Sequence, residues 1–188
     1  MYGKRHELLQ AATQLFAAEG FGVSTAKIAG LAGVANGTLF TYFPTKQELV
    51  DALYLDLKKE VMVLFAEARF EEDADLREVS ARIWDKYVRW ALAAPAKHAV
   101  MNLLKSGGML SPSVVAEADD MFKPMSEIIM RGIKSGLLTV KDVMYLQLLM
   151  AAQIEASIGL ARLNNLKGKA LDEHVQAGFR IFWKGVTT

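Results

Sequence analysis

Residues 24–49 read STAKIAGLAGVANGTLFTYFPTKQEL and constrain this chain more than any other stretch. Apolar side chains recur at helical spacing on both sides of Gly33, and the punctuation leaves each helix short. Ser24 or Thr25 can cap a helix over 25–32 that buries Ile28, Leu31 and Ala32. Ala29 and Ala32 are small enough to let a neighbouring helix approach. Gly33 makes the turn, and Val34 is its apolar residue. A third helix is predicted over 36–43, where Leu39 and Phe43 lie four apart and face inward. Pro44 ends it, and Thr45 with Glu48 forms a capping box for a longer helix. Two short helices about a tight Gly turn are the sequence form of a helix-turn-helix, whose second helix enters the DNA major groove.

The rest of the chain is helical too. Leu8, Leu9, Ala12, Leu15 and Phe16 set a helix over 4–19, and Gly20 suits a left-handed cap. The fourth helix carries Leu49, Leu53, Leu57, Val61 and Leu64, and connects two regions over about 46–68. The acidic run Glu71-Glu72-Asp73 marks a loop. Further helices are predicted over 75–93, 96–105, 112–135, 140–164 and 171–185, separated by Pro95, Gly107-Gly108, Gly136 and Gly168. Ser111-Pro112 pairs a cap with Pro at the first helical position, and Thr139 with Asp142 forms another capping box. The expected fold is all-α. A three-helix DNA-binding domain occupies 1–48, and a helical effector-binding and dimerisation domain occupies 49–188.

Composition narrows the function. With 188 residues and 52% hydrophobic content the chain can bury a sizeable core. It has no cysteine, which excludes disulfides and fits a reducing cytoplasm. Gln10, Gln14 and Glu19 break up the N-terminal apolar residues, so no signal peptide is expected. The most apolar stretch, 146–161, is interrupted by Gln147, Gln153 and Glu155, so no membrane span is expected either. The net charge is only +1. DNA binding must therefore rest on a few placed cations, hydroxyls and helix N-termini, doubled by dimerisation.

Asn36, Thr38 and Thr41 can exchange hydrogen bonds with base edges, and the threonine methyls can touch thymine methyls. Gly37 lets backbone come close to DNA. Tyr42 and Lys46 read as phosphate contacts. A lysine at a helix start opposes the macrodipole, so a structural reason for it is weak, and the free amides there suit a phosphate. Arg5 and Lys27 are further cationic candidates.

At GVANGTLFTYFPTK (33–46) the chain resembles the tetracycline-repressor-like (TetR) family of bacterial regulators. The likeness runs from Arg5 through Ala11-Ala12, Phe16, Glu19-Gly20 and Ile28-Ala29 to Lys46 and Leu49, about a quarter of the chain. It implies an all-α homodimer that binds a double-stranded DNA operator with its first three helices and a small effector with its C-terminal domain. It also implies that Thr25, Lys27, Thr38, Tyr42 and Lys46 approach phosphates or bases. Ala35 stands where a small hydroxyl residue is usual, and Phe40 where Tyr is frequent. Asn36 is expected to take over the cap.

The larger region holds every methionine except Met1. Methionine adapts to varied apolar ligands. Trp84, Tyr87, Met101, Leu104, Met109, Met121, Phe122, Met125 and Ile129 are the candidates for an apolar effector pocket, with Gln153 as a polar contact. Each is also an ordinary core residue by type. Leu171, Val175, Gly178, Phe179, Phe182 and Val186 form one stripe on the last helix, and Leu148, Ala151, Ala152, Glu155 and Gly159 one face of the helix before. These faces are expected to form a four-helix dimer seam. The bland reading is that the stripe packs within its own subunit. His98 and Asn102 are four apart, as a ligand pair is, but nothing supports a metal site or cofactor. His6, His98 and His174 lie in separate segments, and no G-x-S-x-G, H-E-x-x-H or P-loop occurs, so no enzyme is expected. The sequence thus reads as a repressor released by an apolar effector. The competing reading is a helical ligand carrier whose N-terminal motif has lost DNA binding.

Overall fold

The structure, a computed structural model, describes residues 3–66 and 75–188. Among these residues the chain forms ten α-helices and no strand beyond one isolated bridge between Leu138 and Thr187. Two compact units emerge: Met1–Glu60 with Ala94–Asp120, and Val61–Ala93 with Met121–Thr188. These units follow packing and cut differently from the division expected at 48/49.

In the first unit, α1 (Lys4–Glu19) buries Leu8, Leu9, Ala12 and Phe16 and packs against α2 (Thr25–Leu31). Gly20 stops α1 at φ 73°, a backbone conformation that favours glycine. The side chain of Ser24 caps α2 by accepting from the Lys27 amide at 3.2 Å. Gly33, at φ 68°, then turns the chain, with the Val34 amide bonded to the Ala29 carbonyl. The short α3 (Asn36–Tyr42) is anchored by Leu39 and Phe43, both buried. Thr45 caps α4 (Lys46–Ala66) by accepting from the Glu48 amide at 3.1 Å. Leu49, Leu53 and Leu57 form the buried stripe of α4. The end of the expected connector and the acidic run at 71–73 lie outside the described residues.

Helix α6 (Pro95–Ser106) lies against α1, burying Val100 and Leu104. The segment between α6 and α7 (Pro112–Met121) is tied to α4 by Asp51. That carboxylate accepts from Gln47 Nε2 at 3.0 Å, the Ser111 amide at 3.1 Å and the Ser111 hydroxyl. Gln47 Nε2 also donates to the Met109 carbonyl at 2.7 Å. Ser111 thus uses its hydroxyl on Asp51, while its backbone carbonyl accepts the first bonds of α7.

The second unit packs α5 (Leu76–Ala93) against α8 (Lys123–Lys134), α9 (Val143–Leu163) and α10 (Gly168–Val186). Trp84 lies at its centre, 0% exposed, stacked on Phe182 at 5.7 Å and edge-on to Phe179 at 6.0 Å. Gly178 makes room for it: a Cβ there would come within 3.2 Å of Trp84 Cζ2. Arg162 donates to the Ala91 carbonyl at 2.7 Å, satisfying a carbonyl in the last turn of α5. Arg89 bridges Asp85 and Asp172, joining α5 to α10, and its hydrogen bond to Asp172 raises its pKa further.

The boundaries correct the sequence reading at three places. The helix expected over 112–135 breaks at Phe122 into α7 and α8, because Pro124 has no amide proton and its ring excludes a preceding helical turn. The helix expected from 140 begins at Val143, capped by Asp142, while the Thr139 hydroxyl bonds the Val186 carbonyl at 3.0 Å. The last helix begins at Gly168, before the expected 171. By length and composition α9 also matches a membrane-crossing helix, with mean hydropathy 1.4 over its best window. Only one side of it is buried, on Leu146, Ile154, Ile158 and Ala161.

Candidate nucleic-acid interface

The turn at Gly33 and the anchors Leu39 and Phe43 fix which side of α3 faces outward. Asn36, Gly37, Phe40, Thr41 and Tyr42 are exposed there, and Thr38 is half-buried. Tyr42 is 42% and Phe40 41% exposed, unusual for aromatic side chains on so short a helix. The face is uncharged and carries amide, hydroxyl and phenol groups, which suits base edges and phosphate oxygens. Phe40 was noted in the sequence only as a missing hydroxyl. The structure puts its ring on the same face, one turn after Asn36, a spacing of four that the sequence already contained.

Asn36 is the first helical residue and Ala35 holds the cap position without a side-chain bond, so Asn36 does not replace the missing cap. Its amide group is therefore not used on that helix end. The Thr41 hydroxyl donates back to the Gly37 carbonyl at 3.2 Å, which orients its methyl and leaves lone pairs free to accept. Thr25 is half-buried at the start of α2.

The cations are held in place by local partners. Lys27 pairs with Glu19 at 2.7 Å, both exposed, a pair worth only about 0–1 kcal/mol. A phosphate can take over that ammonium at little cost. Arg5 is exposed and lies over the Phe43 ring at 5.5 Å. Lys46 is half-buried, with Nζ 5.9 Å from the Phe16 ring centroid, and donates to the carbonyls of Phe21 and, at 2.7 Å, Val23. Lys46 thus clasps the segment that leads into α2. That is a structural reason for a lysine at a helix start, and the sequence reading missed it.

The effector candidates separate. Met125 and Ile129 line an apolar cavity in the second unit together with Ile83, Leu138, Leu146 and Phe182. Trp84 does not line it; the ring lies behind the wall in the core, which removes Trp84 from the pocket set. Tyr87 and Phe122 both meet Phe65, at 6.3 and 5.7 Å, in a separate aromatic cluster. Met121 and Gln153 are half-buried in the second unit. Met101 and Leu104 are buried, and Met109 exposed, in the first unit.

The seam candidates divide likewise. Leu148, Ala152, Glu155 and Gly159 are exposed on α9, with Met144, Tyr145, Leu160 and Leu163 extending the same apolar surface. Leu171 is half-buried. Val175, Phe179 and Phe182 are buried within the unit, Phe179 and Phe182 against Trp84, so these three do not present a surface to a partner. The stripe on α10 follows the bland reading because Trp84 of α5 occupies its apolar face.

A family model described as bacterial regulatory proteins, tetR family, matches residues 8–53. The fold is shared along the whole chain with solved structures. A putative tetR family transcription regulator from Shewanella sp. PV-4 is 30% identical, with TM-score 0.87 and 100% of each chain covered. A TetR family transcription regulator from Marinobacter aquaeolei VT8 is 25% identical, with TM-score 0.88, covering 98% of this chain and 95% of that one. The transcriptional regulator FadR from Bacillus subtilis, in complex with stearoyl-CoA, shares the fold at 20% identity and TM-score 0.73, with 96% and 98% covered. The helix-turn-helix at Ser24–Tyr42, the full-length helical match and the 30% identity together place this chain in the TetR family of transcription regulators.

Proposed function

We propose that the protein is a homodimeric repressor that binds a two-fold symmetric DNA operator through α3 and is released by a mainly apolar small molecule bound in the C-terminal region. In this reading residues 1–48 read DNA, residues 49–188 bind effector and partner, and the protein acts in the cytoplasm. The observation that carries it is the outward face of α3, where Asn36, Gly37, Thr41 and Tyr42 stand exposed on a helix anchored only by Leu39 and Phe43. A seven-residue helix is marginal alone, so an uncharged polar face on it calls for a ligand. The exposed apolar side of α9 supports the dimer. Two-fold symmetry then sets half-sites about 34–36 Å apart, or a multiple of that.

The ligand-carrier reading draws on Lys27 and Lys46 both being engaged within the chain. One experiment decides: a mobility-shift assay with DNA from upstream of the protein's own gene. The repressor reading expects a salt-sensitive complex that Asn36→Ala and Thr41→Ala weaken differently on variant operators. No complex at low salt, with folded dimer present, removes it in favour of the carrier. A complex that no apolar compound releases removes the effector part.

A further inference from the structure

The apolar cavity in the second unit is walled by four helices, represented by Val79 on α5, Met125 on α8, Leu146 on α9 and Phe182 on α10. Among the described residues, Ser80 supplies the one hydroxyl on its wall, and no charged side chain lines it. As it stands, it holds about 30 Å³ of free volume. That is room for roughly two waters. Ligand sites are typically ten or more times larger, on the order of 300–1,000 Å³. A ligand therefore needs a wall that moves.

One wall differs from the rest. Leu138 and Val186 line the cavity from two short segments, 137–139 and 186–188, laid antiparallel. The Thr139 amide and hydroxyl both donate to the Val186 carbonyl, at 2.9 and 3.0 Å, and the Thr188 amide donates to the Leu137 carbonyl at 3.2 Å. The helical walls are held by continuous ladders, whereas 137–139 lies outside any helix. It is tied by those bonds to the end of α10 and by the Leu138 amide to the Gly132 carbonyl at 3.1 Å, so it can lift while α10 stays wound. We infer that 137–139 and 186–188 form a latch over this cavity whose release admits an uncharged, mainly hydrocarbon ligand. The inference rests on the reading of this region as effector-binding. Uncharged follows because a charge placed there meets no partner. Hydrocarbon follows from aliphatic, aromatic and thioether walls, and Met125 and Met150 can re-pack around differing shapes.

The chain has no cysteine, so a disulfide can lock the latch cleanly. Leu138 and Thr187 oppose each other in a non-hydrogen-bonded pair, where Cα atoms lie about 4.5 Å apart, within disulfide range. The full chain carrying Leu138→Cys and Thr187→Cys is titrated with N-phenyl-1-naphthylamine, a neutral fluorescent hydrocarbon-like probe. Wild type should bind, and the reduced variant, in which Leu138→Cys trims one wall, sets the reference affinity for its own oxidised form. The oxidised variant should bind at least tenfold more weakly, and reductant should restore it. Ser80→Leu, which fills the cavity, should also weaken binding at least tenfold while the protein stays folded. Thr139→Val keeps the fold and removes one latch bond, so it should speed probe entry severalfold. Equal binding by oxidised and reduced forms, or unchanged entry in Thr139→Val, overturns the latch. Wild-type affinity in Ser80→Leu overturns the cavity, and no binding by wild type overturns the ligand class. Failure of the broader reading looks different: the probe binds and obeys the latch, yet no apolar compound releases operator. Conversely, release of operator from the oxidised protein leaves that reading intact and removes the latch.

Discussion

Lys58 shows what packing does to a single side chain. It is half-buried on α4, with Nζ 5.8 Å from the Tyr54 ring centroid. Burial lowers its pKa from 10.5 to about 8; Lys105 lowers it further and Asp119 opposes. Below pH 8 both folded and unfolded chains hold the proton, and the folded state bears the full cost of a desolvated ammonium. Between pH 8 and 10.5 the unfolded chain holds a proton the folded chain has lost, so stability rises with pH. Tyr54, whose pKa is raised by burial and by Asp119, acts in the opposite sense only above the ordinary tyrosine value of 10.0. Urea unfolding at pH 7 and about pH 9.5 should show this gain in wild type and none in Lys58→Met. Trp84 makes the complementary case. Trp84→Ala should cost about 3–5 kcal/mol by calorimetry. Trp84→Phe should cost less, since Trp84 Nε1 is buried without a hydrogen-bond partner among the described residues and its loss removes an unsatisfied donor worth about 1–3 kcal/mol.

Among elements, the start of α4 and the glycine of α8 carry the sharpest expectations. Lys46 clasps the carbonyls of Phe21 and Val23, one residue before the Ser24 cap. Lys46→Ala should therefore lower melting temperature and DNA affinity together. Lys27→Ala frees only Glu19, so it should leave stability nearly unchanged and reduce the slope of log K against log salt by about 0.9 if Lys27 meets a phosphate. Mobility shifts at several salt concentrations, with melting curves, separate the two roles. In α8, a Cβ on Gly132 would fall 2.4 Å from Leu76 Cδ2 and 2.8 Å from Leu138 Cδ1. Gly132→Ala should cost about 1–3 kcal/mol through overpacking, more than its helix-propensity gain of roughly 1 kcal/mol returns. Denaturant midpoints decide the sign.

For the whole molecule, the exposed apolar surface of α9 is the expected seam of the proposed homodimer. Leu148 is 55% and Leu163 82% exposed, in a helix that is apolar along most of its length. An apolar face of this extent marks an interaction surface. Leu148→Asp should give a folded monomer with unchanged helix content, seen by sedimentation with circular dichroism. Phe179→Asp should instead unfold the chain, because Phe179 packs on Trp84 inside the unit. A wild-type monomer at micromolar concentration removes the seam. If effector lowers operator affinity, operator must lower effector affinity by the same factor, which paired titrations check.

The local chemistry of the chain was legible from its sequence. Ser24, Gly33, Pro44 and Thr45 act within a few residues of themselves, so the cap of α2, the turn, the end of α3 and the cap of α4 follow from residue type and spacing. The cap expected at Asn36 and the burial expected of Leu31, 52% exposed, do not hold. Leu39 and Phe43, four apart, point inward as their helical spacing predicts, although the apolar Phe40 between them faces out. What depended on distant partners was not legible. The α10 stripe reads equally well as seam or core, and only Trp84, from α5, decides for the core. Lys46 reads as a phosphate contact until the Phe21 and Val23 carbonyls are seen around its ammonium. Asp51 shows no sign in sequence of a link to Ser111, sixty residues away. The cavity, too, is lined by side chains of α5, α8, α9 and α10 that are far apart in sequence. Periodicity fixes which way a side chain points along its own helix, and tertiary packing alone decides what it meets there.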